Sequence, residues 1–284
     1  MRLVFLVLLL AAVGARAQDT GPFPSRSGPS YPDHSIQDNS FLIEEAYNQE
    51  PGVVQHINFF QRNWRTGEWL AAFTQEYPVP GIRHQLSYTI SHLRVDTSTG
   101  TATGLGDLAL NYRYQLVGGA EARVAMAPRL TLLVPTGDDR RALGSGSTGV
   151  QISIPVSTVL SERWIAHWNA GATTVFSARD EKGNKAKTSV YDFGASLIWL
   201  GRPLNAMLEA LCLNAQTITG PGQTRRGTTF LINPGVRWAY DLPTGLEIVP
   251  GIGFPVAVGS GRPQYSLLLY LSFEHRFWSV PDSR

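Results

Sequence analysis

GLGDLALNYRYQLVGGAEARVAMAPRLTLLVPTGDDRRALGSGSTGVQISIPVS, residues 104–157, is the stretch whose reading decides the fold. In its first part Leu108, Leu110, Tyr112, Tyr114 and Leu116 alternate with Asp107, Ala109, Asn111, Arg113 and Gln115. A strand sends successive side chains to opposite faces, so this run makes one apolar and one polar surface. A second run sets Val124, Met126, Leu130 and Leu132 against Ala125, Arg129 and Thr131. A third sets Val150, Ile152, Ile154 and Val156 against Gln151, Ser153 and Ser157. The first joint is short and Gly-rich (Gly118-Gly119), and the second is long and charged (Thr136 to Gly146). Two-faced strands with alternating short and long connections are what an outer-membrane barrel requires.

GLGDL, PTGD and GSGS-x-G within this stretch resemble the bacterial family named for the MetA pathway of phenol degradation. The similarity is strongest over residues 104–157. It implies an outer-membrane, transporter-like barrel, and it hints at aromatic or other hydrophobic solutes.

Moving outward, the same pattern yields twelve strands. The first six are Gly52–Asn63, Glu68–Pro78, His84–Val95, Gly104–Leu116, Ala122–Pro135 and Ser147–Ser157. The second six are Trp164–Ser177, Thr188–Leu200, Leu204–Thr217, Thr228–Tyr240, Leu246–Val258 and Tyr265–Phe277. The count is even, and each run has the ~9–11 residues that a tilted strand needs to cross a bilayer. The fold class is therefore all-β: a closed antiparallel transmembrane β-barrel of about 12 strands with a short N-terminal helical segment.

Long polar joints (Asp96–Thr103, Thr136–Gly146, Ala178–Lys187, Thr219–Gly227) follow odd-numbered strands and are expected outside the cell. Period 2 points Leu86, Tyr88, Ile90, Tyr191, Phe193, Leu197, Phe230, Ile232, Val236 and Trp238 outward. It points Gln85, Ser87, Ser196 and their polar neighbours inward, because an arginine facing lipid at mid-depth costs ~2–4 kcal/mol. Trp64, Trp69, Trp164, Trp199, Trp238 and Trp278 lie near strand ends, where rings suit the interface, and Trp168 does not.

The chain opens with Arg2, an apolar core from Leu3 to Val13, and Ala15-Arg16-Ala17. This reads as a signal peptide over residues 1–17, cut before Gln18. Without Arg2 and Arg16 the basic and acidic residues balance at 22 each, which argues against a nucleic-acid partner. The single cysteine, Cys212, precludes an internal disulfide. Residues 18–51 read as a leader rich in Pro, Ser and Gly followed by a short helix, DNSFLIEEAYNQ, from Asp38 to Gln49. Asn39 or Ser40 would cap it, with Glu44 and Glu45 near its first turns. The preferred reading is a helix packed on the periplasmic rim, and the sharper alternative is a plug inside the lumen. The barrel then occupies residues 52–278, and residues 279–284 form a tail that weakens the signal read by the barrel assembly machinery.

Enzymatic patterns are sparse. Gly104-x-Gly106-x-x-Ala109 leads straight into strand alternation, so it is not a dinucleotide loop. No G-x-S-x-G elbow and no Walker motif occurs. His34, His56, His84, His92, His167 and His275 form no H-x-H or H-E-x-x-H pair, so no metal or cofactor is expected. A Ser/His site assembled across adjacent strands stays open as an alternative.

What remains is a polar interior. The lumen-lining candidates are Asp107, Asn111, Arg113, Arg129, Asp192, Glu209, Asn233, Arg237, Glu247, Glu274 and Arg276. Asp138, Asp139, Arg140 and Arg141, in the longest outer loop, are candidates for a constriction, with a solvated loop tip as the simpler reading. The function these features favour is passive passage of small molecules, its partners being outer-membrane lipid and the solute. The alternatives are a structural or surface-binding barrel without flux, and a barrel hydrolase.

Overall fold

The computed structural model describes residues 40–276 apart from 50, 51, 80, 82, 120, 121, 202, 203, 243–245 and 260. The expected signal peptide, leader and tail lie outside the described residues, as do residues 38 and 39, Phe277 and Trp278.

In chain order the hydrogen-bonded segments are β1 (Val53–Asn63), β2 (Trp69–Pro78), β3 (His84–Thr97), β4 (Gly100–Leu105), β5 (Leu108–Tyr114), β6 (Val124–Met126), β7 (Arg129–Val134) and β8 (Gly149–Ser161). There follow β9 (Trp164–Arg179), β10 (Lys185–Trp199), β11 (Leu204–Gly220), β12 (Gln223–Trp238), β13 (Tyr240–Asp241), β14 (Glu247–Gly253), β15 (Val256–Val258) and β16 (Gln264–Arg276). Four crossings consist of two segments each: β4 with β5, β6 with β7, β12 with β13, and β14 with β15. The described residues thus cross twelve times, as the alternation implies. Two of the breaks fall at Pro128 and Pro255, which have no N–H to give to a ladder.

Every pairing is antiparallel between neighbours in sequence, and β1 closes on β16 from Val53↔Arg276 to Asn63↔Ser266. Closure leaves no open edge, and the outward face is apolar: Leu86, Ile90, Leu110, Leu132, Ile152, Phe193, Phe230 and Ile232 are all exposed. A closed barrel with an apolar exterior is one of the two designs that satisfy every backbone group in lipid. The chain is an outer-membrane barrel. No helix among the described residues is long and apolar enough to cross a membrane.

Three of the expected long outer loops are instead continuations of their strands. β3 pairs with β4 up to Thr97↔Gly100, β9 with β10 up to Arg179↔Lys185, and β11 with β12 up to Gly220↔Gln223. These hairpins are polar on the outward face while Ala102, Ala178 and Ala186 stay buried inward, so the strands go on pairing after the apolar exterior has ended. The Thr136–Gly146 connection does form a true loop, with one 3-10 turn at Asp139–Arg141.

Candidate functional site

The lumen has two tiers. On the periplasmic side most inward residues are polar, including Gln55, Glu76, Gln85, Arg113, Gln115, Arg129, Ser157, Asn169 and Glu209, with Ile165, Ile198 and Met207 as apolar exceptions. On the extracellular side Ile57, Phe59, Leu70, Leu93, Val95, Leu213, Leu231 and Leu268 point inward and pack into one buried cluster. A wholly polar interior was the expectation. β1 to β3, β11, β12 and β16 depart from it, because some of their inward positions are apolar as well, while Gln61, Asn63, Gln264 and Ser266 keep the outermost positions of β1 and β16 polar.

Residues 40–49 lie across the polar tier, and each one is buried. They form no helix, and they occupy the lumen instead of capping the rim, which corrects the preferred reading. The physical reason is in the hydrogen bonds. A helix satisfies its own backbone groups, and here lumen side chains satisfy them instead. Oε1 of Glu209 accepts the N–H groups of Phe41, Leu42 and Ile43 at 3.0, 2.6 and 3.1 Å. The Asn169 amide oxygen accepts the Glu44 N–H, and its Nδ2 donates back to the Glu44 carbonyl. Ser157 Oγ accepts from Ala46 N at 2.8 Å, Gln115 Oε1 from Asn48 N at 3.1 Å and Gln85 Oε1 from Gln49 N at 2.7 Å. Gln115 Nε2 and Arg113 Nη1 donate to the carbonyls of Ala46 and Tyr47.

Side chains of the segment are held as firmly. The Glu44 carboxylate pairs with Arg129 through Nε, at 3.1 Å, and through Nη2, and it also meets Arg113 Nη2 at 3.4 Å. Phe41 lies 5.5 Å from the Tyr270 ring and against Gly235 and Gly251. A Cβ at Gly235 would sit 2.5 Å from Phe41 Cε2, and one at Gly251 2.6 Å from Cε1. Ile43 packs on Gly194 in the same manner. Glycines inside strands often mark such close approaches.

The candidates named from sequence now have positions. Asn111 Oδ1 accepts from Arg129 Nη1 and Thr131 Oγ1, at 2.8 and 2.7 Å. Asn233 Nδ2 donates to Glu209 Oε2 at 2.6 Å. The Arg237 guanidinium lies 4.8 Å over the Tyr270 ring. Asp192 is buried beside Gly171. Glu247 and Glu274 are register partners of β14 and β16, and Glu274 accepts from Gln55 Nε2 at 2.7 Å. Arg276 ends β16, paired with Val53. Asp107 serves the outer loop: its carboxylate accepts from Gly137 N at 3.0 Å and Ser145 N at 2.8 Å. That loop buries Leu143 against the mouth, close to Gly104. Asp138, Arg140 and Arg141 are exposed, and Asp139 stands 4.0 Å from Arg179.

Sequence reasoning missed the partners that make this a site. The sequence places Glu44 on a helix, and it sets Gln85, Gln115 and Ser157 on polar faces without joining them to Glu76 and Asn169. Inward parity identifies each of these five singly, but not their convergence. Ser157 Oγ lies 2.7 Å from His167 Nδ1, a pairing of nucleophile and base types. Both side chains are fully buried, and the serine oxygen already accepts the Ala46 N–H, so the pair is committed to holding the segment. Among the described residues no cluster of metal-ligating side chains occurs.

A model of the family described as "Putative MetA-pathway of phenol degradation" matches residues 48–263. No curated protein matches by sequence. Among solved structures, an outer membrane channel from Pseudomonas putida F1 is similar with a TM-score of 0.58 at 15% identity, covering 81% of this chain and 97% of that one. The porin NanC is similar with a TM-score of 0.53 at 9% identity, covering 77% of this chain and 98% of that one. At these identities the likeness is one of fold.

Proposed function

The chain belongs to the family described as putative MetA-pathway of phenol degradation, and from that premise we propose that it is an outer-membrane channel for small hydrophobic molecules, held shut at rest by its own residues 40–49. The observation that carries this reading is the two-tier lumen. The apolar outer tier, packed at rest around Phe59, Leu70, Leu93 and Leu268, would part for an uncharged solute while offering ions nothing in exchange for their hydration. The polar inner tier is taken up by residues 40–49, whose displacement would open the way to the periplasm. The fold similarity to an outer membrane channel agrees with passage. Its partners are then outer-membrane lipid, the solute and, during insertion, the barrel assembly machinery.

A specific observation favours one rival. The segment 40–49 is bonded well enough to be a permanent filling, which would make the molecule a structural barrel without flux. The test compares wild type with a variant lacking residues 40–49, using ion conductance in planar bilayers and uptake of labelled phenol by intact cells. Passage predicts small conductance in wild type, a large rise in the deletion, and phenol uptake that depends on wild-type protein. Uptake indifferent to the protein would leave the structural barrel standing.

A further inference from the structure

Three arginines sit together at the extracellular end of β1 to β4, outside the lumen. Arg62 is the register partner of Trp69, Trp69 of Arg94, and Arg94 of Thr103, so these residues form one row across four strands. Arg62 and Arg94 are exposed on the outward face. Arg141 reaches the same row from the outer loop, its Nη2 donating to the Thr103 carbonyl at 3.3 Å. Among the described residues neither Arg62 nor Arg94 has a hydrogen bond or an ion pair. Asp96 is the acidic residue on this face, two positions above Arg94. Glu68 is buried and turned to the Asp96 N–H and the Thr66 hydroxyl.

Directly beneath the arginines the wall is hollow. The next row down is Phe60, Ala71 and His92, and the one below it is Asn58, Phe73 and Ile90. Ala71 is the small side chain in a ring of large ones, with Trp69 above it and Phe73 below. The Trp69 ring meets Phe60 at 6.1 Å and His92 edge-on at 5.2 Å, which fixes the upper wall. The resulting groove is about 410 Å³, almost wholly apolar, and bounded on its far side by Leu269 and Leu271.

We propose that this surface is a binding site for a phosphorylated, multiply acylated lipid of the outer leaflet. Guanidinium groups match phosphate oxygens in a bidentate fork. Arg62 and Arg94 stand one row above the apolar groove on the outward face, so a phosphate held over that groove meets both, with Arg141 completing the row. An acyl chain hanging from the same headgroup descends into the groove over Ala71. Charge above and hollow below are continuous, and that combination selects a phosphorylated lipid over either a free anion or a neutral lipid. The occupant leaves the lumen untouched, so the site is independent of permeation.

The test is native mass spectrometry of the full-length protein in detergent, titrated with diphosphorylated hexa-acylated lipid A. Parallel titrations use its dephosphorylated form, phosphatidylethanolamine and inorganic phosphate. Diphosphorylated lipid A should bind, and the other three should bind far more weakly. Replacing both Arg62→Ala and Arg94→Ala should weaken binding about thirtyfold, since each basic residue near a charged lipid surface contributes a factor of roughly five. Ala71→Leu, which fills the groove and leaves every charge in place, should also weaken it. Arg225→Ala, in β12, should change nothing. Correct folding of each variant is read from heat-dependent mobility on gels. Unchanged affinity in the double arginine variant would overturn the site. So would full competition by inorganic phosphate, which would make the groove irrelevant, and so would a lipid-free dimer burying Ala71 between two copies of the chain.

Discussion

Glu44 and Arg129 meet inside the barrel with both side chains only 2% exposed, the carboxylate gripped by Nε at 3.1 Å and by Nη2. Arg129 also reaches Asn111, Thr131 and Gln151, so its remaining donors are engaged by the wall. A buried ion pair is weak evidence for net stability, but losing one partner is expensive. This pair therefore fixes the position of residues 40–49 more than it stabilises the barrel.

Glu44→Gln should loosen the segment. It removes the carboxylate charge that Arg129 and Arg113 share, and losing one partner of a buried ion pair costs on the order of 3–5 kcal/mol. The expected outcome is a higher and noisier single-channel conductance, with the barrel still folded by heat-dependent gel mobility. Conductance equal to wild type would mean that the pair does not hold the segment closed.

Glu209→Ala should free the other end. Three backbone N–H groups lose their shared acceptor, and each unsatisfied buried group costs about 1–3 kcal/mol. Amide hydrogen exchange at Phe41, Leu42 and Ile43 should accelerate by orders of magnitude, while exchange in β10 and β11 stays slow. Uniform acceleration across the barrel would instead assign Glu209 a role in the fold as a whole.

Gly251→Val should expel Phe41. Even a Cβ at this position would lie 2.6 Å from the ring, and the branched side chain leaves the ring no place over β14. Because the new side chain faces the lumen, strand pairing with Tyr270 is preserved. A protease site inserted next to residue 40 should become cleavable in this variant and resist cleavage in wild type.

Leu110→Arg and Asn111→Arg test the faces. Leu110 points to lipid and is 43% exposed, so arginine there should block assembly, at a cost of ~2–4 kcal/mol near mid-depth. Asn111→Arg should assemble, but it removes an acceptor from Arg129 and adds a like charge beside it. Its conductance should rise as in Glu44→Gln. Equal assembly yields for the two variants would show that the register is wrong.

The strands were legible because lipid and lumen make opposite demands on neighbouring residues. Leu110 and Asn111, or Phe193 and Asp192, announce their faces by chemistry alone. Where the outward face turns polar, as in the β3–β4 and β11–β12 hairpins, that contrast vanishes and strand reads as loop. Where both are apolar, as at Phe59 and Phe60, inward and outward cannot be told apart, so the apolar outer tier stayed hidden. Residues 40–49 were illegible for a different reason. Their backbone is satisfied by Glu209, Asn169, Ser157, Gln115 and Gln85, whose convergence exists only after the ring has closed. Capping residues and two glutamates in sequence read as a helix, because a helix is the structure that needs no such partners.

The seam between β1 and β16 joins the two ends of the barrel, and residues 40–49 lead directly into β1. A segment tethered there stays beside the mouth even when it is displaced, so it returns to the same contacts without a search. The wall residues that grip it, on β3, β5, β7, β8, β9 and β11, span most of the circumference. The segment is thereby a stopper on a chain, its local concentration at the lumen set by the tether and not by diffusion.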